Sequence, residues 1–310
     1  MNIAVLGPGG VGGLIAGLLE HAGTPVIVVA REPTAEVISE QGLRVDSVSF
    51  GEFVTRPRAV ARLGEPVDVL IVATKASGLQ AALERVVAQP KLVLPLLNGL
   101  DHIAVLRERF GTEVVLAGTI RVEADRPEPG VVVHTSPFLL VDMASHDPDH
   151  RSESGARVGM ETLAQLLKDA GVSVRVQESE AQVMWSKLVR LNALACTTSA
   201  FDKLLGEIRA TPELRAALVG AIDEGCAVGR AEGAEDVDPA TALGELELAH
   251  DTLGSSMQRD IAAGRSPELD AIPGSVLRAG ARHGIECPTI ERLVAMIAAR
   301  AEVPVPVIAR

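Results

Sequence analysis

A glycine-rich stretch near the start of the chain has the spacing of a pyrophosphate-binding loop. Gly7-Pro8-Gly9-Gly10-Val11-Gly12 fits the pattern G-x-G-x-x-G. We expect Gly7 to permit a tight turn, Gly9 to let the backbone approach a phosphate, and Gly12 to let a helix pack closely on a strand. The free amides and the dipole of a helix that begins here would attract anionic phosphates. We therefore predict that these six residues bind a dinucleotide cofactor.

An arginine stands where the choice between two cofactors is made. At the end of the second strand an NAD site carries Asp or Glu for the ribose 2′-hydroxyl, but this chain has Arg31. A guanidinium can pair with a 2′-phosphate through two hydrogen bonds, so Arg31 favours NADPH/NADP+ as the cofactor. A solvated arginine at the start of a loop is the alternative, and Glu32 beside it keeps NAD open.

Two more polar residues follow buried apolar runs. Lys75 comes after the run at 69–73, and Asn98 after the run at 92–97. Because ligands bind outside the carboxyl ends of parallel strands, we expect both residues near the nicotinamide half of the cofactor. A surface lysine and an Asn-Gly turn are the alternative interpretations.

A lysine interrupts an otherwise apolar helical segment in the second half of the chain. Lys187 lies between Trp185 and Leu188 in residues 184–201. Partial burial would lower the pKa of this lysine and suit it to proton donation. The alternative is a lysine on an amphipathic helix whose ammonium reaches solvent.

The apolar periodicity predicts the elements that position these residues. Up to residue 177 short strands alternate with helices, whereas from 178 onward only helices are predicted, separated by glycine and proline breaks. The pattern indicates an α/β fold, with an N-terminal Rossmann-type dinucleotide-binding domain at 1–177 and an all-α C-terminal domain at 178–310. We predict strands at 2–6, 26–30, 43–48, 53–55, 69–73, 92–97, 113–120, 130–134, 138–142 and 172–176, a turn at 127–129 and a loop at 147–154. We predict helices at 11–19, 33–40, 76–87, 156–170, 181–195, 214–232, 239–253, 268–283 and 290–301.

The composition excludes several classes of partner. The net charge of −12 and the lack of tyrosine, with five Phe and one Trp, argue against nucleic acid and anionic membranes. No uncharged apolar run approaches the roughly 18 residues that cross a bilayer. Cys196, Cys226 and Cys287 lack the spacing of metal ligands, so no metal site is predicted.

The same features give an expected location. A sparse, odd set of cysteines is typical of a reducing compartment, and no signal peptide is apparent, so we expect a cytoplasmic protein. The residues leave the oligomeric state open, with a homodimer as one alternative.

Six stretches occur in an order that matches one known family. They are Gly7–Gly12, Arg31, Thr74-Lys75-Ala76, Asn98-Gly99, Trp185-Ser186-Lys187-Leu188, and Ser255-Ser256-Met257-Gln258-Arg259-Asp260, which runs on to Pro267-Glu268-Leu269-Asp270. By these signatures the chain resembles the ketopantoate reductase (2-dehydropantoate 2-reductase) family over nearly its full length.

The resemblance implies NADPH-dependent reduction of a small-molecule 2-oxo acid to a 2-hydroxy acid, first of all 2-dehydropantoate to pantoate in pantothenate and CoA biosynthesis. It implies that Lys187 and Glu268 are catalytic and that Lys187 gives its proton to the carbonyl oxygen. Glu268 would also touch the cofactor, and Asn98 would lie at its nicotinamide end. Asn98, Lys187 and Ser256 would bind substrate. A helix-start charge after Pro267 is the alternative for Glu268.

Three positions depart from the family pattern. The family has an asparagine four residues after the lysine, where this chain has Leu191, and a regular helix puts Asn192 roughly 140° around from Lys187. We predict a π-bulge that restores Asn192 to the substrate-binding set. With that insertion, Cys196 stands at the place of a second asparagine, and Leu205 at that of a third. The lost amides predict a less polar 2-oxo acid as substrate.

Three functions remain open at this point. The first is reduction of 2-dehydropantoate, and the second is a reductase or dehydrogenase of the same fold that acts on a different, less polar acid. The third is a non-catalytic NADP-binding sensor, which would keep the glycine loop but need not retain Lys187, Ser256 and Glu268 together. The joint presence of Lys187, Ser256 and Glu268 favours an enzyme.

Overall fold

The computed structural model describes residues 1–146 and 155–308, so the loop predicted at 147–154 lies outside the described residues. The chain divides into two compact units. The first holds Met1–Leu97 and His102–Val183, and the second holds Asn98–Asp101 and the residues from Met184 onward. The domain boundary expected after residue 177 stays a prediction.

The first unit carries the strands of the described chain. They are β1 (Ile3–Leu6), β2 (Val26–Val29), β3 (Leu43–Ser47), β4 (Gly51–Thr55), β5 (Arg58–Val60), β6 (Val69–Val72), β7 (Leu92–Pro95), β8 (Ala117–Arg121), β9 (Ala124–Glu128), β10 (Val131–His134), β11 (Leu140–Ala144) and β12 (Ser173–Val176). Its helices are α1 (Gly10–His21), α2 (Glu32–Gln41), α3 (Leu79–Leu83), α4 (His102–Phe110) and α5 (Gly155–Asp169), with 3-10 turns at Ala76–Gly78 and Thr112–Val114.

Five strands form a parallel sheet in the order β5-β2-β1-β6-β7. Leu6 of β1 pairs with Val29 on one side and with Val72 on the other, so the carboxyl ends of β2, β1 and β6 meet at one edge. Successive strands are added on one side of β1 up to β5 and then on its other side from β6, as in dinucleotide-binding folds. The predicted Rossmann-type N-terminal fold is confirmed.

The strands of this sheet are buried on both faces. Val5 and Ile71 belong to one core cluster, with Leu14 of α1, whereas Leu6 belongs to another, with Leu106 of α4. Because alternate side chains enter different cores, the strands read as continuous apolar runs. Each fully buried side chain of this size contributes about 1.5–3 kcal/mol to stability. The continuous apolar runs that result are the reason why these strands could be located from the sequence.

Two smaller sheets complete the first unit, in the orders β4-β3-β10-β9 and β12-β11-β8. The antiparallel pair of β3 and β4 lies where it is predicted. The turn expected at 127–129 is wrong in part, because Pro127 lies inside β9. Since β9 is an edge strand, a residue without an N–H group can occupy it without breaking the sheet.

Two other predicted elements differ from the structure. The helix expected at 76–87 shrinks to a 3-10 turn and α3, because the chain beyond it bonds elsewhere: the Leu63 amide donates to the Arg85 carbonyl, and the Val87 amide donates to the Leu63 carbonyl. The strand expected at 113–120 begins late, at Ala117, after the 3-10 turn.

From residue 180 onward the described chain is helical, which confirms the predicted all-α C-terminal region. The helices are α6 (Glu180–Phe201), α7 (Leu205–Ala210), α8 (Pro212–Ala231), α9 (Pro239–Leu248), α10 (Ser256–Ala262), α11 (Ser275–Arg282) and α12 (Pro288–Ala301), with a π-helix at Asp270–Gly274. Two of them, α7 and α10, are too short for periodicity to predict. Within the described residues, no helix is long and apolar enough to cross a membrane.

Helix α9 ends earlier than predicted because a side chain binds its last carbonyl groups. Nη1 of Arg209 donates to the carbonyl oxygens of Leu246, Glu247 and Ala249 at 2.7, 2.7 and 3.0 Å. These are the groups that a helix C-terminus leaves without partners, and a guanidinium also suits the helix dipole there.

A buried histidine joins β3 to β10. Nδ1 of His134 lies 2.8 Å from Oγ of Ser47, which already accepts hydrogen bonds from the amides of Ser49 and Phe50. On the other side Nε2 lies 3.1 Å from Oγ of Ser136, which donates to a backbone carbonyl. The Ser47 hydroxyl therefore donates to Nδ1 and Nε2–H donates to Ser136, so this arrangement fits the neutral imidazole.

This network makes the first unit sensitive to acid. Burial lowers the pKa of His134 below its ordinary value of 6.5, although the nearby backbone of Phe138 and the charge of Glu123 oppose the shift. Protonation costs more in the folded chain than in the unfolded one. The contribution of neutral His134 to the free energy of unfolding is therefore complete above about pH 6.5. It falls as the pH drops from there toward the folded pKa, by at most about 1.4 kcal/mol per pH unit.

We expect the wild type to lose more unfolding free energy between pH 7.5 and pH 5.5 than His134→Gln does. Urea unfolding followed by circular dichroism at both pH values measures the difference. The control is the same change at the exposed His250, which should keep the wild-type pH dependence. Equal pH dependence in wild type and His134→Gln would contradict a neutral, buried His134.

Candidate active site

The glycine loop connects β1 to α1 in the geometry that its sequence predicts. Gly7 has a φ of +91°, and its amide donates to the Val29 carbonyl of β2 at 3.0 Å. A Cβ on Gly12 would lie 2.2 Å from the Gly7 carbonyl oxygen. Only glycine tolerates both conditions at low cost, so Gly7 and Gly12 bring the start of α1 against the end of β1.

The first turn of α1 is open to an anion. Its N-cap is Gly9, which makes no side-chain cap, and a Cβ built on Gly9 would meet nothing within 4 Å. Gly10 and Val11 begin the helix, while Pro8 is buried. The helix thus presents backbone amides and its positive dipole end with open space at Gly9, although a Cβ on Gly10 would lie 2.4 Å from the Ala124 carbonyl oxygen.

Two basic side chains follow the neighbouring strand ends. Arg31 comes two residues after β2 and precedes α2, where its carbonyl accepts from the amides of Thr34 and Ala35. Lys75 comes three residues after β6 and precedes a 3-10 turn. Both side chains are exposed. The strand register puts both at the sheet edge that carries the glycine loop.

A buried threonine hydroxyl adds to this edge. Oγ1 of Thr74, one residue before Lys75, is buried without a hydrogen-bond partner among the described residues. Buried polar groups in folded proteins normally have a partner, so this one points to a bound group or a water. The donor set at this edge, namely uncapped amides, a hydroxyl and two cations, fits a dinucleotide.

The second unit brings together three of the predicted catalytic and binding residues. Nζ of Lys187 donates to Oδ1 of Asn98 at 2.8 Å, and Nδ2 of Asn98 donates to Oε2 of Glu268 at 3.1 Å. Lys187 is only 9% exposed. The Asn98 amide thus connects an ammonium with a carboxylate.

The charges at its two ends fix the orientation of this amide. An amide oxygen only accepts hydrogen bonds, so it faces the ammonium of Lys187. The NH2 group only donates, so it faces the carboxylate of Glu268. A flipped amide would direct an N–H group at the cation and an oxygen at the anion. Both bonds involve a charged partner and are therefore stronger than bonds between neutral groups.

The π-bulge predicted between Lys187 and Asn192 is wrong. Helix α6 is a regular α-helix from Glu180 to Phe201, so Asn192 lies about 140° around the helix axis from Lys187. The fully buried Asn192 bonds on its own face, where its Oδ1 accepts from Sγ of Cys196 at 3.4 Å. The regular helix therefore removes the basis for placing Asn192 in a substrate-binding set.

The regular register also changes which residues replace the family's asparagines. Leu191 keeps the first of these positions, and Ala195 rather than Cys196 takes the second. Leu205, the first residue of α7, is fully buried. All three side chains are apolar, so the expected loss of amides does not depend on the bulge.

Ser256 is exposed at the first position of α10. The residue before it fixes that helix: Oγ of Ser255 accepts from the Gln258 amide at 3.0 Å and donates to Oγ1 of Thr198 at 2.8 Å, while the Thr198 hydroxyl donates to the Leu194 carbonyl. Thr198 lies about 20° around α6 from Lys187, three turns later. No role for Ser255 or Thr198 was predicted from the sequence, although the helical spacing of Thr198 from Lys187 was a usable signal.

The described residues contain no group of three or more His, Cys, Asp or Glu that could hold a metal ion. Cys196, Cys226 and Cys287 are free and buried. Burial raises the pKa of the Cys226 thiol to about 11 and that of Cys287 to about 12. At neutral pH these thiols are protonated and do not act as nucleophiles.

Comparisons with known proteins agree on one family. The family model described as "Ketopantoate reductase PanE/ApbA" matches residues 3–142, and the one described as "Ketopantoate reductase PanE/ApbA C terminal" matches residues 181–301. A 2-dehydropantoate 2-reductase of Mycobacterium tuberculosis is 30% identical over 316 residues, which cover 98% of this chain and 99% of that protein.

Solved structures share the fold. A 2-dehydropantoate 2-reductase from Geobacter metallireducens matches with a TM-score of 0.86 at 27% identity, over 96% of this chain and 99% of that chain. A D-mandelate dehydrogenase, solved with NADH and anilino(oxo)acetate, also gives a TM-score of 0.86, at 21% identity over 97% of this chain and 99% of that chain. The latter is a likeness of fold.

We predict that Asn192→Leu keeps or raises the free energy of unfolding, by up to about 1 kcal/mol. The amide Nδ2 of Asn192 is buried without a partner among the described residues, and its removal relieves that cost. Thr198→Val on the same helix is the comparison, and it should cost about 1–2 kcal/mol because the buried Ser255 hydroxyl loses its hydrogen-bond partner. Urea unfolding measures both, and a loss of more than about 1 kcal/mol in Asn192→Leu would contradict a structural Asn192.

Proposed function

The chain belongs to the ketopantoate reductase family, and we propose that it uses NADPH to reduce a 2-oxo acid to a 2-hydroxy acid. It is an oxidoreductase of this family. We assign cofactor binding to the glycine loop with Arg31 and Lys75. We assign the proton-transfer chemistry to Lys187, Asn98 and Glu268.

One observation supports this proposal above the others: a buried lysine hydrogen-bonded to an amide whose orientation a carboxylate fixes. When a 2-oxo group is reduced, its oxygen becomes anionic. An ammonium in hydrogen-bonding reach stabilises that charge and then supplies a proton, which contributes about 10²–10⁴ in rate. Lys187 ends as the neutral amine and takes a proton back from water.

The amide and the carboxylate have separate roles in this proposal. Asn98 takes one of the three hydrogens of the Lys187 ammonium and so limits its rotation. Glu268 holds the Asn98 amide in the orientation that accepts from Lys187. A non-catalytic NADP-binding sensor has no need for a buried lysine held in this way.

The cofactor assignment rests on the donor set of the first unit. A bound nicotinamide cofactor supplies the hydride. Uncapped amides of α1 would bind its pyrophosphate, and Arg31, exposed after β2, would pair with the 2′-phosphate that distinguishes NADPH from NADH.

The family and the apolar replacements each support a candidate substrate. The relatives named 2-dehydropantoate 2-reductase make 2-dehydropantoate the first candidate. Leu191, Ala195 and Leu205 support a second candidate, a branched 2-oxo acid without a hydroxyl group, because a site without polar partners selects weakly for a hydroxyl. The shared fold of the D-mandelate dehydrogenase does not separate the two.

The deciding experiment measures NADPH oxidation with a panel of 2-oxo acids that includes 2-dehydropantoate and branched acids lacking its hydroxyl. We expect turnover by the wild type and a loss of about 10²-fold or more in kcat for Lys187→Ala. Lys203→Ala removes the same charge from an exposed lysine of the second unit and should match the wild type.

The outcomes separate the alternatives. A higher kcat/KM for a branched acid than for 2-dehydropantoate supports the less polar substrate, and the reverse supports the substrate of the named relatives. No turnover on any member of the panel, or full activity in Lys187→Ala, would contradict the proposed mechanism.

For the cofactor, we predict that Arg31→Ala raises KM for NADPH by about 10-fold and leaves KM for NADH nearly unchanged. A charged hydrogen bond to a phosphate is worth about 1.5–3 kcal/mol, reduced here by solvent screening. Initial rates with each cofactor measure the change. Arg292→Ala, at an exposed arginine of α12, is the charge-matched control, and an unchanged NADPH preference in Arg31→Ala would show that Arg31 is only a solvated residue.

A further inference from the structure

A short π-helix follows Glu268 in the second unit. It spans Asp270–Gly274 and contains Pro273, and the Gly274 amide donates to the Leu269 carbonyl. A Cβ on Gly99 would lie 2.0 Å from the carbonyl oxygen of Ala271. The segment that carries Asn98 therefore runs in direct backbone contact with the π-helix that begins two residues after Glu268.

An arginine of α11 binds both of these segments. Nη2 of Arg278 donates to Oδ2 of Asp101 at 2.5 Å and to the Asp270 carbonyl at 2.8 Å. Nη1 donates to Oδ1 of Asp270 at 2.7 Å and to the Val307 carbonyl at 3.4 Å. The side chain of Arg278 is 21% exposed, whereas those of Asp101 and Asp270 are 47% and 73% exposed, so solvent partly screens both ion pairs.

The four-residue segment Asn98–Asp101 is thus tied at both ends. Asn98 bonds to Glu268, and Asp101 bonds through Arg278 to Asp270, two residues after Glu268. The contact of Asn98 with Glu268 is one hydrogen bond of 3.1 Å, which a small rotation of the amide would break. The contact of Asp101 with Asp270 runs through the planar guanidinium of Arg278, which holds its acceptors in fixed directions.

We infer that Arg278 is a positioning residue: by joining Asp101 to Asp270 it sets the separation of Asn98 and Glu268, and thereby the presentation of the Lys187 ammonium. The inference rests on the proposed function, since it assigns Arg278 to the same reaction. A displacement of about 1 Å in a reacting group costs on the order of 10²-fold in rate.

The test uses two variants of the full chain. Arg278→Lys keeps the positive charge but loses the planar guanidinium that donates to Asp101 and Asp270 together. Asp101→Asn weakens the same tie from an exposed acceptor, whose side chain is 47% exposed, and so carries little risk to folding. Arg282→Lys is the matched control, because Arg282 is on the same helix and pairs with Glu232 instead. We expect kcat to fall about 10- to 100-fold in both test variants with KM for NADPH within twofold, and no change in the control.

A second measurement does not depend on turnover. The chain has only five lysines, of which Lys75, Lys91, Lys168 and Lys203 are exposed and Lys187 is buried. Competitive acylation with a limiting reagent, read by peptide mass spectrometry across a pH series, gives the reactivity of Lys187 with the other four as internal references. We expect a rise of at least threefold for Lys187 in Arg278→Lys and Asp101→Asn, and none in Arg282→Lys.

The outcomes distinguish this inference from the proposed function. Unchanged kcat and unchanged Lys187 labelling in both test variants overturn the role of Arg278, whether or not the wild type turns over a 2-oxo acid. If Lys187 labelling changes in the test variants but the wild type turns over no 2-oxo acid, the positioning role is supported and the proposed function is contradicted. If Arg278→Lys fails to fold, Asp101→Asn alone decides by the same two readings.

Discussion

The second unit depends on an amide that can face only one way. Asn98 accepts from a cation with its oxygen and donates to an anion with its nitrogen. Lys187 and Glu268 therefore favour the same orientation of the amide, and each stabilises the hydrogen bond to the other. A buried charge is costly unless it is paired and hydrogen-bonded. The amide contributes to this requirement by accepting one hydrogen of the Lys187 ammonium and donating to the Glu268 carboxylate.

Much of the fold could be predicted because its signals are local. Strands β1, β2, β6 and β7 are apolar on both faces, and the glycines of the loop are required by a positive φ at Gly7 and by close approach at Gly12. A single stretch of sequence carries each of these constraints. The order of Lys187, Ser256 and Glu268 could be matched to a family, but their geometry could not.

What the sequence could not reveal depends on distant partners. The helical irregularity was expected after Lys187, yet it occurs at Asp270–Gly274, where the segment after Asn98 runs against the backbone. Pro127 fits its strand only because that strand is an edge of its sheet. Ser255 is hydrogen-bonded to Thr198, which is 57 residues away in sequence. No window of neighbouring residues contains such information.

The membership of Asn98–Asp101 in the helical unit has a consequence for chain connectivity. That unit is discontinuous: its lysine and carboxylate come from the C-terminal half, while the amide between them comes from a tetrapeptide more than 80 residues earlier. A gene fragment that begins at Met184 would encode the charged pair without its bridge. The C-terminal part of the polypeptide therefore cannot form the arrangement of Lys187, Asn98 and Glu268 by itself, since four residues of the N-terminal part complete its unit.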